Sequence, residues 1–328
     1  LGAAQPIRIR PFIPEGKMMR AYTMVLAALL LAGCQQGPSP EQLAKEKAEK
    51  MKHYSEVMQW RTDRIARLTK PDGWLSLVGM HWLPKSGVTR VGSGEANGTR
   101  LTVGPDKLGL ITIDEAKQVW LQPENGVALR IDGQPATGRT KLVPDTQGTA
   151  TVVGFNDGKA NFIVIERGDR LALRVRDAEA ETRVKFTGID YFPVDTAFRY
   201  TATFTPHDAG RTIDIVNILG MVEPMMNPGT VTFSAGEQTF TLEAIDEGDH
   251  RLFLVFADRT SGKESYAAAR FLYAEYPGAD GKTVVDFNKA YNPPCAFTAF
   301  STCPMPPPEN RMDMAVTAGE KKPRKITP

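Results

Sequence analysis

The sequence predicts a mainly β protein, in which an N-terminal amphipathic helix is followed by one or two β-sandwich or barrel-like units and by an ordered, proline-rich C-terminal loop system. Three observations support this class. Apolar residues recur at helical spacing before position 70, and short apolar runs separated by turn residues follow from Trp74 to Phe256. The segment 270–321 is dense in proline and in large apolar residues, which is typical of an ordered loop rather than a flexible linker.

Residues 1–34 are predicted to be a leader and lipoprotein signal peptide. Arg20 supplies a positive charge, and residues 24–32 form an apolar segment that is too short to span a bilayer. The segment ends in LAGC at 31–34, which resembles the bacterial lipobox, whose cysteine accepts a diacylglycerol. We therefore expect lipidation at Cys34, with an ordinary cleaved signal or a buried helix as the alternatives.

The predicted address is the cell envelope, where the lipid on Cys34 would hold the protein to a membrane. Gln35 follows the cysteine, whereas an Asp in that position tends to retain lipoproteins at the inner membrane of Gram-negative bacteria. By resemblance to sorted lipoproteins, we expect the outer membrane, facing the periplasm.

A tether and an amphipathic helix are predicted over 35–70. Ser39 is expected to cap the helix with Gln42, and Pro40 suits its first position. The sequence KPDG at 70–73 should end it after about Leu68. The apolar residues at helical spacing are Leu43, Ala44, Met51, Tyr54, Met58, Ile65 and Leu68. A helix packed on the β body is the expectation, and a partner-binding helix is the alternative.

Two β domains are predicted after the helix, a sandwich-like domain over 71–160 and a domain over 161–328 that carries the C-terminal motif. The segment 252–256 is continuously apolar, which predicts a strand covered on both faces. The predicted strands are 74–83, 88–91, 110–113, 119–121, 127–131, 162–165, 171–175, 198–204, 212–218, 230–233, 239–245 and 252–256.

Composition and motifs exclude several function classes. The net charge is only +2 and no recognition helix with clustered Arg and Lys is evident, so we expect no nucleic-acid partner. The four histidines lack metal-binding spacing, and no nucleophile elbow or complete phosphate loop occurs. We therefore predict no metal site and no cofactor.

Two cysteines remain beyond the leader, Cys295 and Cys303. In an oxidising compartment, a structural disulfide between them is the expected outcome. A catalytic thiol, a metal-binding thiol or a redox-active pair is the alternative.

The candidate site residues concentrate in the C-terminal loop system. Asp286, Glu309 and Arg270 could converge for acid–base catalysis, with His81 as a further candidate. The candidate ligand-binding residues are Asn288, Tyr291, Asn292 and Asn310. The alternative, which we favour, is that the Asn and Asp side chains cap turns and that Arg270 neutralises a buried carboxylate.

The same region carries a family resemblance. The sequences DFNKAYNPPCAF at 286–297 and CPMPPPENR at 303–311 resemble the hallmark of the family catalogued as domain of unknown function 1684. Upstream, GWLSLVG at 73–79, RGDR at 167–170 and FADRTSG at 256–262 agree with it, so that the resemblance covers about 60–321. It implies no activity and assigns no functional residues.

Two functions follow as hypotheses. The first is an envelope lipoprotein that binds a small ligand or an envelope protein through the C-terminal loop system. The second is an envelope enzyme, for example a hydrolase, that uses Asp286, Glu309 and Arg270. The sequence leaves open whether the protein is an enzyme.

Overall fold

The computed structural model describes residue 2 and residues 38–324 of the chain. The predicted leader and Cys34 lie outside the described residues. The chain divides into two compact units, Leu1–Lys52 and His53–Pro328, and the packing described below is that of the second unit. Among the residues that the structure describes, no helix combines the length and the apolar character needed to cross a membrane.

The first helix, α1, spans Pro40–Leu68, as the sequence predicts. The Ser39 backbone N–H donates to Gln42 Oε1 at 2.7 Å, and the Gln42 backbone N–H donates to Ser39 Oγ at 3.1 Å. This reciprocal capping box satisfies backbone donors that an α-helix leaves unpaired in its first turn.

The buried face of α1 differs from the predicted apolar stripe. In the second unit, Val57 and Leu68 are buried, together with the polar His53 and Arg64, whereas Tyr54 and Met58 are exposed. The polar residues are buried because each has a partner on another element. His53 Nε2 lies 2.8 Å from an Asp286 carboxylate oxygen, and Arg64 Nε donates to Glu320 at 2.9 Å.

The remainder is mainly β, as predicted, with one further short α-helix, α2 (Glu181–Val184), in the described region. The strands of the first half are β1 (Leu77–Trp82), β2 (Gly87–Gly92), β3 (Thr99–Arg100), β4 (Gly109–Ile113), β5 (Val119–Pro123), β6 (Arg130–Ile131), β7 (Gln134–Pro135), β8 (Thr140–Leu142), β9 (Val153–Phe155), β10 (Ala160–Arg167) and β11 (Arg170–Asp177). Those of the second half are β12 (Arg199–Pro206), β13 (Thr212–Val216), β14 (Val222–Ala235), β15 (Gln238–Asp246), β16 (Arg251–Phe256), β17 (Arg270–Glu275) and β18 (Lys282–Asp286).

The first-half strands form two sheets that share one hydrophobic core. One sheet has the order β1-β11-β10-β9-β6-β7, and the other has the order β3-β2-β4-β5-β8. Alternate residues of the strands, such as Leu173 and Val175 on β11, point into the core between the sheets. Both β10 and β11 belong to this first sheet, which therefore extends to Asp177. The predicted domain boundary between residues 160 and 161 stays a prediction.

The second-half strands form one strongly curved, barrel-like sheet. Its order is β17-β16-β15-β14-β12-β18, and β13 pairs with β14 beside this path. The two end strands approach each other, since Thr283 Oγ1 on β18 donates to the Glu275 carbonyl on β17 at 2.6 Å. Leu252, Leu254 and Phe256 of β16 face the interior core, and Phe253 and Val255 belong to a second cluster on the outer face. This confirms the prediction that 252–256 is covered on both faces.

The C-terminal loop system is ordered and closes the interior of this sheet. Met312, Val316 and Ala318 are buried in its core. The loop contains three short 3₁₀ helices, Phe287–Lys289, Pro294–Ala296 and Pro308–Asn310.

A fully buried ion pair fixes the loop to the sheet. Arg270 on β17 donates to a carboxylate oxygen of Asp258 and to the carbonyls of Val316 and Ala318. Both side chains of the ion pair are 0% exposed. The guanidinium thereby satisfies backbone acceptors of a segment that has no strand partner of its own.

We expect the Asp258→Asn variant to lose about 3–5 kcal/mol of the free energy of unfolding, because Arg270 would keep its charge in a buried site without a counterion. Equilibrium unfolding of the full-length chain in urea measures this loss. The control is Asp313→Asn, which breaks the exposed pair between Asp313 and Arg259 and should leave the midpoint almost unchanged. Equal midpoints for the two variants would contradict this account of the buried pair.

Candidate functional site

A cavity of about 1100 Å³ lies between the first sheet and the outer face of the barrel-like sheet. Small-molecule sites in proteins are roughly 300–1000 Å³, so this space can hold a small ligand. Its walls come from the C-terminal half of α1 and the segment after it, from β11, from the outer faces of β13, β14, β16 and β17, and from the loop 289–304.

One wall is an arginine-bearing strand. Along β11, Leu173 and Val175 point into the sandwich core, and Arg174 and Arg176 alternate with them on the opposite face. In an uncovered sandwich that face would meet water. Here the second half of the chain covers it, and Arg174 is only 4% exposed.

The Arg174 guanidinium is buried without an ion-pair partner among the described residues. Among the residues that the structure describes, it forms no ion pair, its Nε has no hydrogen-bond partner, and its Nη2 reaches Thr302 Oγ1 at 3.5 Å. The guanidinium carbon lies 5.4 Å from the ring centre of Trp74. Burial lowers the pKa of Arg174 to about 10, the neighbouring charges of Arg167 and Arg176 act in the same direction, and the charge of Asp145 opposes them. The group therefore remains a cation at neutral pH.

Two further guanidinium groups extend this positive surface. The Nε of Arg176 is also buried without a partner, and burial lowers its pKa, with Asp72 as the opposing charge. Arg167 pairs with Asp145 at 2.9 Å and donates to Thr302 Oγ1 at 2.9 Å. Three arginines thus meet at this wall, and within the described part of the chain only Arg167 forms an ion pair with a carboxylate.

The whole lining is electropositive. In the described part of the chain, nine basic and six acidic side chains line the cavity. Two of the acidic residues are already engaged, since Asp286 pairs with His53 and Glu247 accepts a hydrogen bond from the Tyr273 hydroxyl. Burial raises the pKa of Glu247, which weakens its negative charge further.

The opposite wall is aromatic. Phe253 stacks on Tyr273 with ring centres 4.9 Å apart, and Phe271 meets Tyr291 edge-on at 5.7 Å. Arg64 lies over the Tyr291 ring at 4.7 Å. A ligand with an anionic group and a planar or apolar part therefore matches the two walls.

The predicted acid–base cluster is not assembled. Arg270 is engaged with Asp258 and backbone carbonyls, and Glu309 is exposed. Asp286 is buried, pairs with His53, and accepts hydrogen bonds from the backbone and side chain of Asn288 at 3.1 and 2.9 Å. Arg270 and Asp286 therefore have separate partners, as the alternative interpretation of the sequence expected, and Glu309 lies at the surface.

Most of the predicted ligand-binding residues bond the backbone instead. Asn288 bonds the backbone of Asp195, Asn292 donates to the Lys321 carbonyl, and Asn310 donates to the Glu243 and Val255 carbonyls. Tyr291 is the member of this set that lines the cavity.

His81 lies on β1, away from the cavity lining. Its Nε2 is buried without a hydrogen-bond partner, and burial lowers its pKa. The structure therefore gives it no part in the cavity chemistry.

The two cysteines are close together, and both are free thiols in the structure. Cys303 lines the cavity, and its sulfur accepts hydrogen bonds from the Cys295 backbone N–H at 3.2 Å and lies 3.4 Å from Ser301 Oγ. The Cys295 thiol also donates to Cys303, which lowers the pKa of Cys303 and raises that of Cys295. The disulfide stays a prediction.

The sequence did not reveal the arginine wall, which consists of Arg167, Arg174 and Arg176. It also did not reveal that His53 pairs with Asp286 and that Glu320 pairs with Arg64. The signal for the wall was present in RLALRVRD at 170–177, where arginines and apolar residues alternate. Such alternation usually indicates a solvent-facing side, so only the covering of that side reveals the site. Among the described residues, no cluster of His, Cys, Asp or Glu side chains is suited to hold a metal ion.

Comparison with known proteins gives a family match over part of the chain and no activity. No curated protein matches the chain. A solution NMR structure of an uncharacterized protein of Haloarcula marismortui is 31% identical over a match that covers 42% of this chain and 78% of that one. Its TM-score is 0.36, which is too low to indicate a shared fold.

The family match falls on the second half of the chain. Residues 184–321 match the family described as "Protein of unknown function (DUF1684)". The matched segment includes the C-terminal loop system that carries the resemblance in the sequence, and it is shorter than the span of about 60–321 expected there. Over residues 184–321, the chain is therefore similar to the family of unknown function DUF1684.

Proposed function

We propose that the protein binds a small organic anion in the arginine-lined cavity, with Arg174 as the main contact. The observation that carries this proposal is the buried guanidinium of Arg174, which faces the cavity, forms no ion pair with any described residue and leaves its Nε without a hydrogen-bond partner. Burial of an unpaired charge is unfavourable by several kcal/mol in a folded protein, roughly 3–5 when a partner is removed. A bound anion would supply the missing partner.

The geometry of the guanidinium favours a carboxylate or phosphate group. Arginine presents its N–H donors in a planar fork that matches two oxygens of either group. The Nε of Arg174 and that of Arg176 are both unused donors. One anionic group could therefore accept hydrogen bonds from both residues, while the aromatic wall contacts the rest of the ligand.

The C-terminal loop system contributes to this site, in line with the function expected from the sequence. Thr302 places its hydroxyl between Arg167 and Arg174, and Tyr291 lies on the aromatic wall. The loop thereby brings a polar and an aromatic side chain to opposite parts of one ligand space.

We further propose that the chain is exported, lipidated at Cys34 and held at the outer membrane, facing the periplasm. The LAGC sequence at 31–34 and the apolar segment before it support this address. The ligand would then be an anion of the envelope.

Isothermal titration calorimetry on the full-length chain tests anion binding, with inorganic phosphate, pyrophosphate and citrate as separate probes. We expect at least one probe to bind, and Arg174→Met to weaken it by about tenfold or more, because loss of a buried charge-assisted contact costs 2 kcal/mol or more. The phosphate probes and citrate distinguish a phosphate-bearing ligand from a carboxylate-bearing one.

The control variant is Arg130→Gln, because Arg130 is an exposed arginine on β6 outside the cavity lining. It should bind the same probe with unchanged affinity. Failure of all three anions to bind the wild-type chain, or equal affinity of the Arg174→Met variant, would refute the proposed function.

Metabolic labelling with a radioactive or alkyne-bearing fatty acid tests the anchor. We expect label on the wild-type protein and its loss in Cys34→Ala, because the other two cysteines are far from the leader. A Cys295→Ser variant is the matched control and should keep its label. Label that persists in Cys34→Ala would place the lipid elsewhere, and an unlabelled wild-type protein would rule out the anchor.

A further inference from the structure

The sulfur of Cys303 occupies an unusual position for a buried cysteine. Two hydrogen-bonding groups lie against it, namely the Cys295 backbone N–H at 3.2 Å and Ser301 Oγ at 3.4 Å. Interaction with the neighbouring Cys295 thiol also lowers the pKa of Cys303. Structural cysteines in apolar surroundings keep their proton and are inert, whereas hydrogen-bond donors and nearby cations stabilise a thiolate. The environment of Cys303 is of the second kind.

The positive charge of Arg174 also acts on this sulfur. The positive charge of Arg174 favours the thiolate form of Cys303, and Thr302, the residue before Cys303, contacts the Arg174 guanidinium. Tyr266, whose hydroxyl donates to the Cys295 carbonyl at 3.0 Å, is the other titratable group at the pair. Among these groups, only Arg174 is a cation.

A small reactant can reach the sulfur through the cavity. Cys303 is 5% exposed, but it is one of the cavity-lining residues. The unused Nε–H of Arg174 and the Thr302 hydroxyl are available as donors for an oxygen that develops negative charge.

We propose that Cys303 is a peroxide-reactive thiolate and that Cys295 is the thiol that resolves its oxidised form. This inference concerns the cysteine pair and stands whether or not the cavity binds an organic anion. The substrate class is a small hydroperoxide, ROOH, with hydrogen peroxide as the simplest member.

The reaction has two steps, oxidation of Cys303 by the peroxide and formation of a disulfide with Cys295. The Cys303 thiolate attacks the terminal oxygen of the peroxide, so that an S–O bond forms and the O–O bond breaks. The sulfur loses two electrons to the peroxide, and the leaving RO⁻ takes a proton and departs as an alcohol or water. The Cys295 sulfur then attacks the sulfenic acid of Cys303, the S–S bond replaces the S–O bond, and the hydroxide leaves with the Cys295 proton as water.

The position of Cys295 suits the resolving role. Its backbone N–H lies 3.2 Å from the Cys303 sulfur, so the two residues are neighbours in space. The interaction with Cys303 raises the pKa of the Cys295 thiol, so that Cys295 stays protonated while Cys303 reacts. The sequence prediction of a structural disulfide and the present inference therefore differ. A structural disulfide would form once, whereas this pair would cycle with an external dithiol as reductant.

The experiment uses the reduced full-length chain, which is exposed to hydrogen peroxide, alkylated and digested with trypsin. Both cysteines lie on one tryptic peptide, 290–311, and Cys34 lies on another. We expect the 290–311 peptide to lose two hydrogens as an internal disulfide. In Cys295→Ser, a dimedone adduct should appear on Cys303, and in Cys303→Ser, Cys295 should stay reduced.

The Arg174→Met variant tests whether Arg174 stabilises the Cys303 thiolate. A purely structural role of Cys303 would leave the pH profile of its alkylation unchanged in this variant. The rate of Cys303 alkylation by iodoacetamide should follow a pH profile with its midpoint below the ordinary thiol value of about 8.5, and the variant should move that midpoint upward. Arg130→Gln is again the matched control and should keep the wild-type profile.

Two outcomes overturn the inference. In the first, the 290–311 peptide keeps both thiols while free cysteine in the same tube is oxidised. In the second, Cys295 carries the sulfenic acid instead. Anion binding is measured separately by calorimetry, so a failure of that proposal leaves the thiol result interpretable, and the converse also holds.

Discussion

A buried guanidinium that forms no ion pair with the described residues is the constraint on which the rest of this site depends. Arg174 sits on a strand whose other face fills the core of the first sandwich, so its side chain cannot turn away from the cavity. The second half of the chain covers that face, and no carboxylate in the described residues forms an ion pair with Arg174, although the charge of Asp145 acts on it from nearby. Stability alone would favour an apolar residue there, because replacement of buried charges by packed apolar groups is often neutral or stabilising. A charge retained at such a position is best explained by a ligand.

The elements whose signals are local could be predicted from the sequence. The helix begins at Pro40 and ends at Leu68 because Ser39, Gln42 and the KPDG sequence act within a few residues of each end. Most strands were visible as apolar runs for the same reason. The buried face of the helix was not predictable in this way, since His53 and Arg64 are buried only because Asp286 and Glu320, more than two hundred positions later, pair with them.

The candidate site, in contrast, could not be predicted from local sequence signals. The predicted cluster of Asp286, Glu309 and Arg270 was built from residues close in sequence. A proline-rich loop lacks regular backbone pairing, however, and polar side chains such as Asn292 and Asn310 bond the backbone carbonyls of other segments instead. The site that the fold creates combines β11 with the loop at Thr302 and Cys303, about 130 positions apart. Alternating arginines on one strand suggest a solvent-exposed face. The arginines are buried only because the second half of the chain packs over that face.

The most direct measurement is the free energy of unfolding of the Arg174→Met variant without any ligand, compared with the wild-type chain in buffer free of multivalent anions. If Arg174 is kept for binding, the variant should be at least as stable as the wild type, because it removes an uncompensated buried charge and retains an apolar side chain of similar length. If Arg174 instead belongs to the structural framework, the variant should lose about 3 kcal/mol or more, as for a broken buried ion pair. That loss would contradict the account.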